Sequence, residues 1–225
     1  YNNLAGLYHL QGKTSEAIHA MDQCITRVRS FLAEKEPHKQ KSSAASLQFE
    51  AIDNLAGIYK ELGNYTKAHD LLLYSYQQKQ KELSAGDPGL FISQILIGQL
   101  YYAMREYDKA LSYLSAGLKS IEKTSGDYLF WYGDALYGSA LVYDEKKEIQ
   151  QAAACYEKAD SLYSASFQGE YDNIYLEFLG NTALFYAENG LTRQAIDKAH
   201  KAYNYVIKAE GENSQLPFFH LQNLS

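Results

Sequence analysis

The stretch from Gly6 to Thr14 reads Gly-Leu-Tyr-His-Leu-Gln-Gly-Lys-Thr. Two glycines followed by Lys-Thr invite comparison with a phosphate cradle, in which backbone N–H groups and a lysine hold an anion. Five residues separate these glycines where that loop has four, and no strand-like run precedes them, so the segment reads as helix and turn. The histidines are His9, His19, His38, His69, His200 and His220, and none stands at metal spacing from another His, Cys or Glu on a helix. Cys24 falls in a small-residue packing slot described below, which predicts a buried, inert thiol. Cys155 has no neighbouring base, and Glu145 with Glu148 reads as a solvated run. No catalytic set, metal or cofactor is therefore expected, and fold alone would supply no enzyme.

Composition narrows the classes further. The chain has 225 residues, 46% of them hydrophobic, with Lys+Arg 21 against Asp+Glu 27 and a net charge of -6. It is too apolar for a disordered chain, and a nucleic-acid groove would need clustered Lys and Arg. No run of about 18 apolar residues is present to span a membrane. The two cysteines make no disulfide framework, which leans toward a reducing compartment without establishing one. Pro37, Pro88 and Pro217 all fall between periodic segments, as a mostly helical chain requires. Residue 1 already lies inside a repeat, with no initiator Met or signal core, so the chain reads as a piece of a longer protein.

The dominant signal is internal repetition. Asn3-Leu4-Ala5-Gly6-Leu7-Tyr8 and Asn54-Leu55-Ala56-Gly57-Ile58-Tyr59 differ by one Leu-to-Ile change. A small residue recurs at Ala5, Ala56, Gly98, Ala140 and Ala183, in steps of 51, 42, 42 and 43. Three columns keep pace: an aromatic (Tyr8, Tyr59, Tyr101, Tyr143, Tyr186), an alanine (Ala17, Ala68, Ala110, Ala152, Ala195) and a small residue (Cys24, Ser75, Gly117, Ala159, Ala202). Repeats are expected at about 1–43, 44–87, 88–127, 128–171 and 172–213, with a sixth begun over 214–225.

Helix packing explains the columns. Ile52, Leu55, Ala56 and Tyr59 form one apolar stripe; Ala68, Leu71, Leu72 and Ser75 form another. The breaks between stripes are short: Gly12-Lys13, Gly63-Asn64, Arg105-Glu106, Lys147-Glu148 and Gly190-Leu191. Breaks of that length force antiparallel hairpins, with small residues letting the backbones approach and tyrosine rings filling the groove. The turns at Arg105 and Lys147, lacking glycine, are expected to be less regular. Gly86, Gly126, Gly169 and Gly211 are expected to end second helices in a left-handed stop, and Asp87, Asp127 and Asp172 to cap the next first helices. Repeat one carries nine extra residues near positions 34–43, made basic by Lys35, His38, Lys39 and Lys41 and read as a solvated loop or helix extension. The 21 tyrosines are assigned to packing with wet hydroxyls, not to nucleic-acid stacking.

The small-x-x-aromatic, Gly-Asn-Tyr-x-x-Ala and later small residue resemble the tetratricopeptide (TPR) signature. The 42-residue step and Gly86-Asp87-Pro88 after a long second helix resemble the kinesin light chain subtype and bacterial arrays associated with CHAT domains. The resemblance implies an all-α fold, an α-solenoid of antiparallel hairpins in a right-handed superhelix, with first helices lining a concave groove. It also implies that an asparagine two residues before the small residue bonds an extended peptide there: Asn3, Asn54, Asn181 and Asn223, with Leu96 and Gly138 departing from the column. Residues three or four apart share a helix face, which adds Glu50, Asp53, Lys60, Gln99, Tyr102, Asp134, Tyr137, Asp144 and Glu177. His9 is placed to face the same groove. The set is acidic and aromatic, so a protein or peptide with basic and apolar side chains is the expected partner. The function implied is a protein-interaction scaffold. The alternatives are a sensor region of a larger signalling protein or enzyme, such as a CHAT-type protease, and a receptor that closes around a small ligand. The cut ends expose apolar stripes and are expected to fray or to pair end to end with another copy.

Overall fold

The computed structural model describes residues 2–33, 41–123, 128–167 and 172–210. The chain forms two compact units, Tyr1–Lys123 and Thr124–Ser225. The first holds α1 (Asn2–Leu10), α2 (Thr14–Ala33), α3 (Lys41–Glu61), α4 (Tyr65–Glu82), α5 (Pro88–Ala103) and α6 (Tyr107–Ile121). The second holds α7 (Leu129–Glu145), α8 (Ile149–Phe167), α9 (Asn173–Glu188) and α10 (Thr192–Glu210). No strand occurs among the described residues, and the fold class is the all-α helical-repeat class. Each odd-numbered helix packs on the even-numbered one after it. In the first unit α2 joins α3 and α4 joins α5; in the second α8 joins α9.

Every hairpin closes in the same way. Gly12, Gly63 and Gly190 take φ near +70° (70°, 71° and 72°). Arg105 and Lys147 take the same left-handed conformation at 61° and 59°, so the expected irregularity is absent. The hydrogen bonds show why. The N–H of Gly63 reaches Lys60 O at 3.0 Å and that of Asn64 reaches Tyr59 O at 2.8 Å; Arg105 to Tyr102 and Glu106 to Tyr101 repeat this pattern at 2.8 Å each. Both pairs satisfy carbonyls that a helix end would otherwise orphan, and the strain of a β-carbon at positive φ is carried to keep them.

Helix ends follow local chemistry, with one correction. Asp87 accepts from Gly89 N at 2.8 Å with Pro88 at the first helical position, and Asp172 accepts from Ile174 N at 2.7 Å. Asn64 caps α4 through Lys67 N. Gly86 is not a left-handed stop: α4 ends at Glu82, and Leu83 leaves the helix in extended conformation at φ -103°. Gly126, Asp127, Gly169 and Gly211 lie outside the described residues. The start of α3 at Lys41 gives it 21 residues against 16 in α5, so the end of the nine-residue insertion lengthens a helix, and residues 34–40 lie outside the description.

Most of the small-residue columns lie in the core, while Tyr8, Tyr59, Tyr143 and Ala195 are half-buried at its border. Ala5, Ala56 and Ala140 are fully buried, as are Ala17, Ala68, Ala110 and Ala152. Gly98 shows why the column is small: a β-carbon there would lie 2.7 Å from Leu114 Cγ and 3.2 Å from Ala110 O. In the second unit the space between helices is filled by aromatic side chains. Tyr156 packs tilted against Phe185 with centroids 4.8 Å apart, and Tyr163 meets Phe178 edge-on at 5.0 Å.

Candidate protein-binding faces

The first helices α1, α3, α5, α7 and α9 bury one stripe and leave another accessible. In the first unit, Asn3, Glu50 and Asn54 are exposed, and Lys60, Gln99 and Tyr102 are half-buried. The Tyr102 ring lies beside Tyr107, centroids 6.3 Å apart. His9 Nε2 meets Glu61 Oε2 at 2.8 Å and ties α1 to the end of α3. Gly6 and Gly57 sit in matching positions where a β-carbon would meet nothing within 4 Å, so no neighbouring side chain requires them.

Asp53 belongs to a different structure from the one its spacing suggests. It is 8% exposed, and its Oδ2 takes the Lys79 ammonium at 2.5 Å. Lys79, 4% exposed, also reaches Ser93 Oγ at 2.8 Å. One lysine on α4 thus holds an acid on α3 and a hydroxyl on α5, where an unpaired buried carboxylate would be costly. Helical spacing does place Asp53 beside Asn54, but burial by α4 and α5 turns it inward.

In the second unit Asp134, Tyr137, Asp144 and Asn181 are half-buried and Glu177 is exposed. Tyr137 and Asn181, on α7 and α9, meet directly: Asn181 Nδ2 donates to Tyr137 Oη at 2.7 Å. Asp134 accepts from the Tyr163 hydroxyl at 3.2 Å, and Asp144 lies 3.6 Å from the Lys147 ammonium. Asn223 lies outside the described residues.

A second polar centre, unforeseen in the sequence, binds α8, α9 and α10. Asp160 accepts from Lys198 at 2.6 Å, Lys201 at 2.7 Å and the Tyr175 hydroxyl at 2.6 Å. Burial pushes its carboxyl pKa up, but the hydrogen bonds from Lys198, Lys201 and Tyr175 outweigh burial and hold it below the usual value. Burial works against the Lys198 charge, and Asp160 and Glu157 overcome it, so its pKa is raised. Tyr163, Tyr175 and Tyr186 have raised pKa values, first through burial and then through bonds to Asp134, Asp160 and Glu157. These three hydroxyls are bonded to carboxylates, not wet. The available signal was a lysine three residues after Ala195; its partner Asp160, on α8 and 38 residues earlier, was not readable from spacing.

The remaining reactive groups are occupied or inert. His19 bonds Gln23 and His69 bonds the Tyr101 hydroxyl at 3.1 Å. Cys24 is 5% exposed, and burial raises the Cys155 thiol while Lys158 offsets part of that rise. Among the described residues no three His, Cys, Asp or Glu come together as a metal site would need, and no helix is long and apolar enough to cross a membrane.

Comparison with known proteins agrees with this geometry. No curated protein matches the sequence. The chain matches tetratricopeptide repeat family models over residues 1–30, 47–123 and 91–165. Its fold is similar to BtubC (BKLC) from P. vanneervenii, at 16% identity and TM-score 0.73 over 94% of this chain and 82% of that one. It is similar to the nearly identical kinesin-light-chain TPR-like repeats of Podosopora anserina, at 19% identity and TM-score 0.63 over 92% and 93%. It is also similar to the STAND protein with a tetratricopeptide repeat sensor from Pyrococcus horikoshii, at 18% identity and TM-score 0.62, covering 99% of this chain and 29% of that one. With family models matching more than half its length and ten helices paired as hairpins among the described residues, the chain belongs to the tetratricopeptide repeat family.

Proposed function

We propose that this chain is a protein-interaction scaffold whose first-helix faces hold a segment of another protein or peptide. One observation carries the reading: those faces keep accessible polar and aromatic side chains in both units, among them Asn3, Glu50, Asn54, Gln99, Tyr102, Glu177 and Asn181. An amide both donates and accepts, which suits the backbone of an extended peptide. Lys60, Asp134, Tyr137 and Asp144 border the same faces, whereas Asp53 serves the interior. Five hairpins with a sixth begun over 214–225 form the repeat array of this proposal, with Asn223 continuing the asparagine column.

The test is recovery of partners by the chain and by a variant carrying Asn54→Ala and Asn181→Ala together. The variant is expected to lose partners that the parent retains after washing, at unchanged helicity. Equal recovery by the two proteins would reject the asparagine faces as the site.

A further inference from the structure

Two aliphatic side chains of α9 stay in solvent: Ile174 is 46% exposed and Leu184 39%. They lie on one stripe with Glu177, Asn181 and Glu188, the positions stepping by three, four, three and four. The stripe runs about 21 Å along the helix. Glu177 and Glu188 are exposed, and α9 contains no Lys or Arg.

Its charge is one-sided. Asn181 spends one of its two amide hydrogens on Tyr137 Oη at 2.7 Å and keeps the other, with its carbonyl oxygen, for a ligand. The two carboxylates accept and do not donate. The charged groups of the stripe are acceptors alone, set between aliphatic side chains. The first unit offers nothing equivalent: α3 mixes Glu50 with Lys60, its Glu61 is joined to His9, and α5 carries no charged residue.

We infer that the α9 stripe docks a segment of another protein that carries Lys or Arg beside aliphatic side chains. This deepens the scaffold reading and rests on it. Charge complementarity selects the occupant: an ammonium or guanidinium supplies the positive charge this surface lacks, and aliphatic groups cover Ile174 and Leu184. A second copy of a chain at -6 brings no net complementary charge, and an anionic lipid surface would be repelled.

The experiment selects random dodecapeptides displayed on phage against the intact chain, then measures the selected peptides by fluorescence anisotropy. The expected sequences are enriched in Lys or Arg with Leu, Ile or Val. Their affinity should fall roughly tenfold or more for Glu177→Gln with Glu188→Gln, fall for Leu184→Ser, weaken with salt, and stay unchanged for Asp22→Asn, an exposed carboxylate on α2. Acidic or neutral selected peptides, or no selected peptides, would overturn the inference. Basic peptides that bind the double Gln variant as well as the parent would also overturn it, as they would if residues 211–225 or a second copy cover the stripe. Acidic or neutral peptides that still lose binding on joint Asn54→Ala and Asn181→Ala substitution would sink this inference while leaving the scaffold reading standing.

Discussion

Arg105 and Lys147 occupy a backbone conformation that favours glycine, at φ 61° and 59°. A β-carbon there costs about 1–2 kcal/mol, partly offset by the smaller entropy of a non-glycine residue in the unfolded chain. Arg105→Gly is therefore expected to raise unfolding stability by up to about 1 kcal/mol, read as a shift in urea midpoint at constant slope. Two other glycines should behave in opposite ways. Gly98→Ala forces a β-carbon to 2.7 Å from Leu114 Cγ and is expected to cost about 1–3 kcal/mol. Gly57→Ala, with nothing within 4 Å, is expected to gain about 0.5–1 kcal/mol from helix propensity. Thermal unfolding of the two variants side by side checks this; a loss at Gly57 would mean that a neighbour needs the space. The sequence column marks Gly98 as a small position and Gly57 stands one residue outside it, but spacing alone does not reveal how tightly either is packed, since that depends on the partner helix.

At the scale of helices, legibility divides by the range of the interaction. Turns, caps at Asp87 and Asp172 and the packed alanines rest on neighbours within a few residues or on a repeated register, and their positions are plain in the sequence. The lysine-centred networks are set by meetings between helices, such as Lys79 with Asp53 and Lys198 with Asp160, 26 and 38 residues apart. Composition gives no hint of them, which is why Asp53 looked like a groove residue. These networks also set a pH window. Asp160 is held below its ordinary pKa, so its contribution is present above the unfolded carboxylate range and is lost as pH falls below about 4. Lys198 and Tyr175 are held above theirs, so their contributions persist below about pH 10 and are lost as pH rises further. Trp131, the one tryptophan in the sequence, lies in α7 edge-on to Phe130 at 5.2 Å and reports the second unit. Its fluorescence-monitored urea midpoint should stay level between those limits and fall on both sides. Replacing Lys198 with Met should flatten the acid limb, because Asp160 would lose its strongest reason to ionise.

For the molecule as a whole, repeat proteins have stabilities that add locally, since each hairpin answers mainly to its neighbours. Lys79→Ala leaves Asp53 buried without its cation and is expected to destabilise the first unit by about 3–5 kcal/mol. Circular dichroism should then show an early loss of helix while the Trp131 transition moves much less. Coincident transitions that shift together would show that the units unfold as one. The all-α class and the hairpin order were open to reading from the sequence because four columns recur in step, whereas the division at residue 123 was not. Within each of the five hairpins among the described residues, the turn ends on a left-handed residue bearing the same pair of backbone bonds, whether glycine, arginine or lysine stands there. Duplication or deletion of a gene segment that joins one such turn to another would preserve the junction's geometry, so a lineage can change the length of this protein by whole hairpins without having to evolve a new connection.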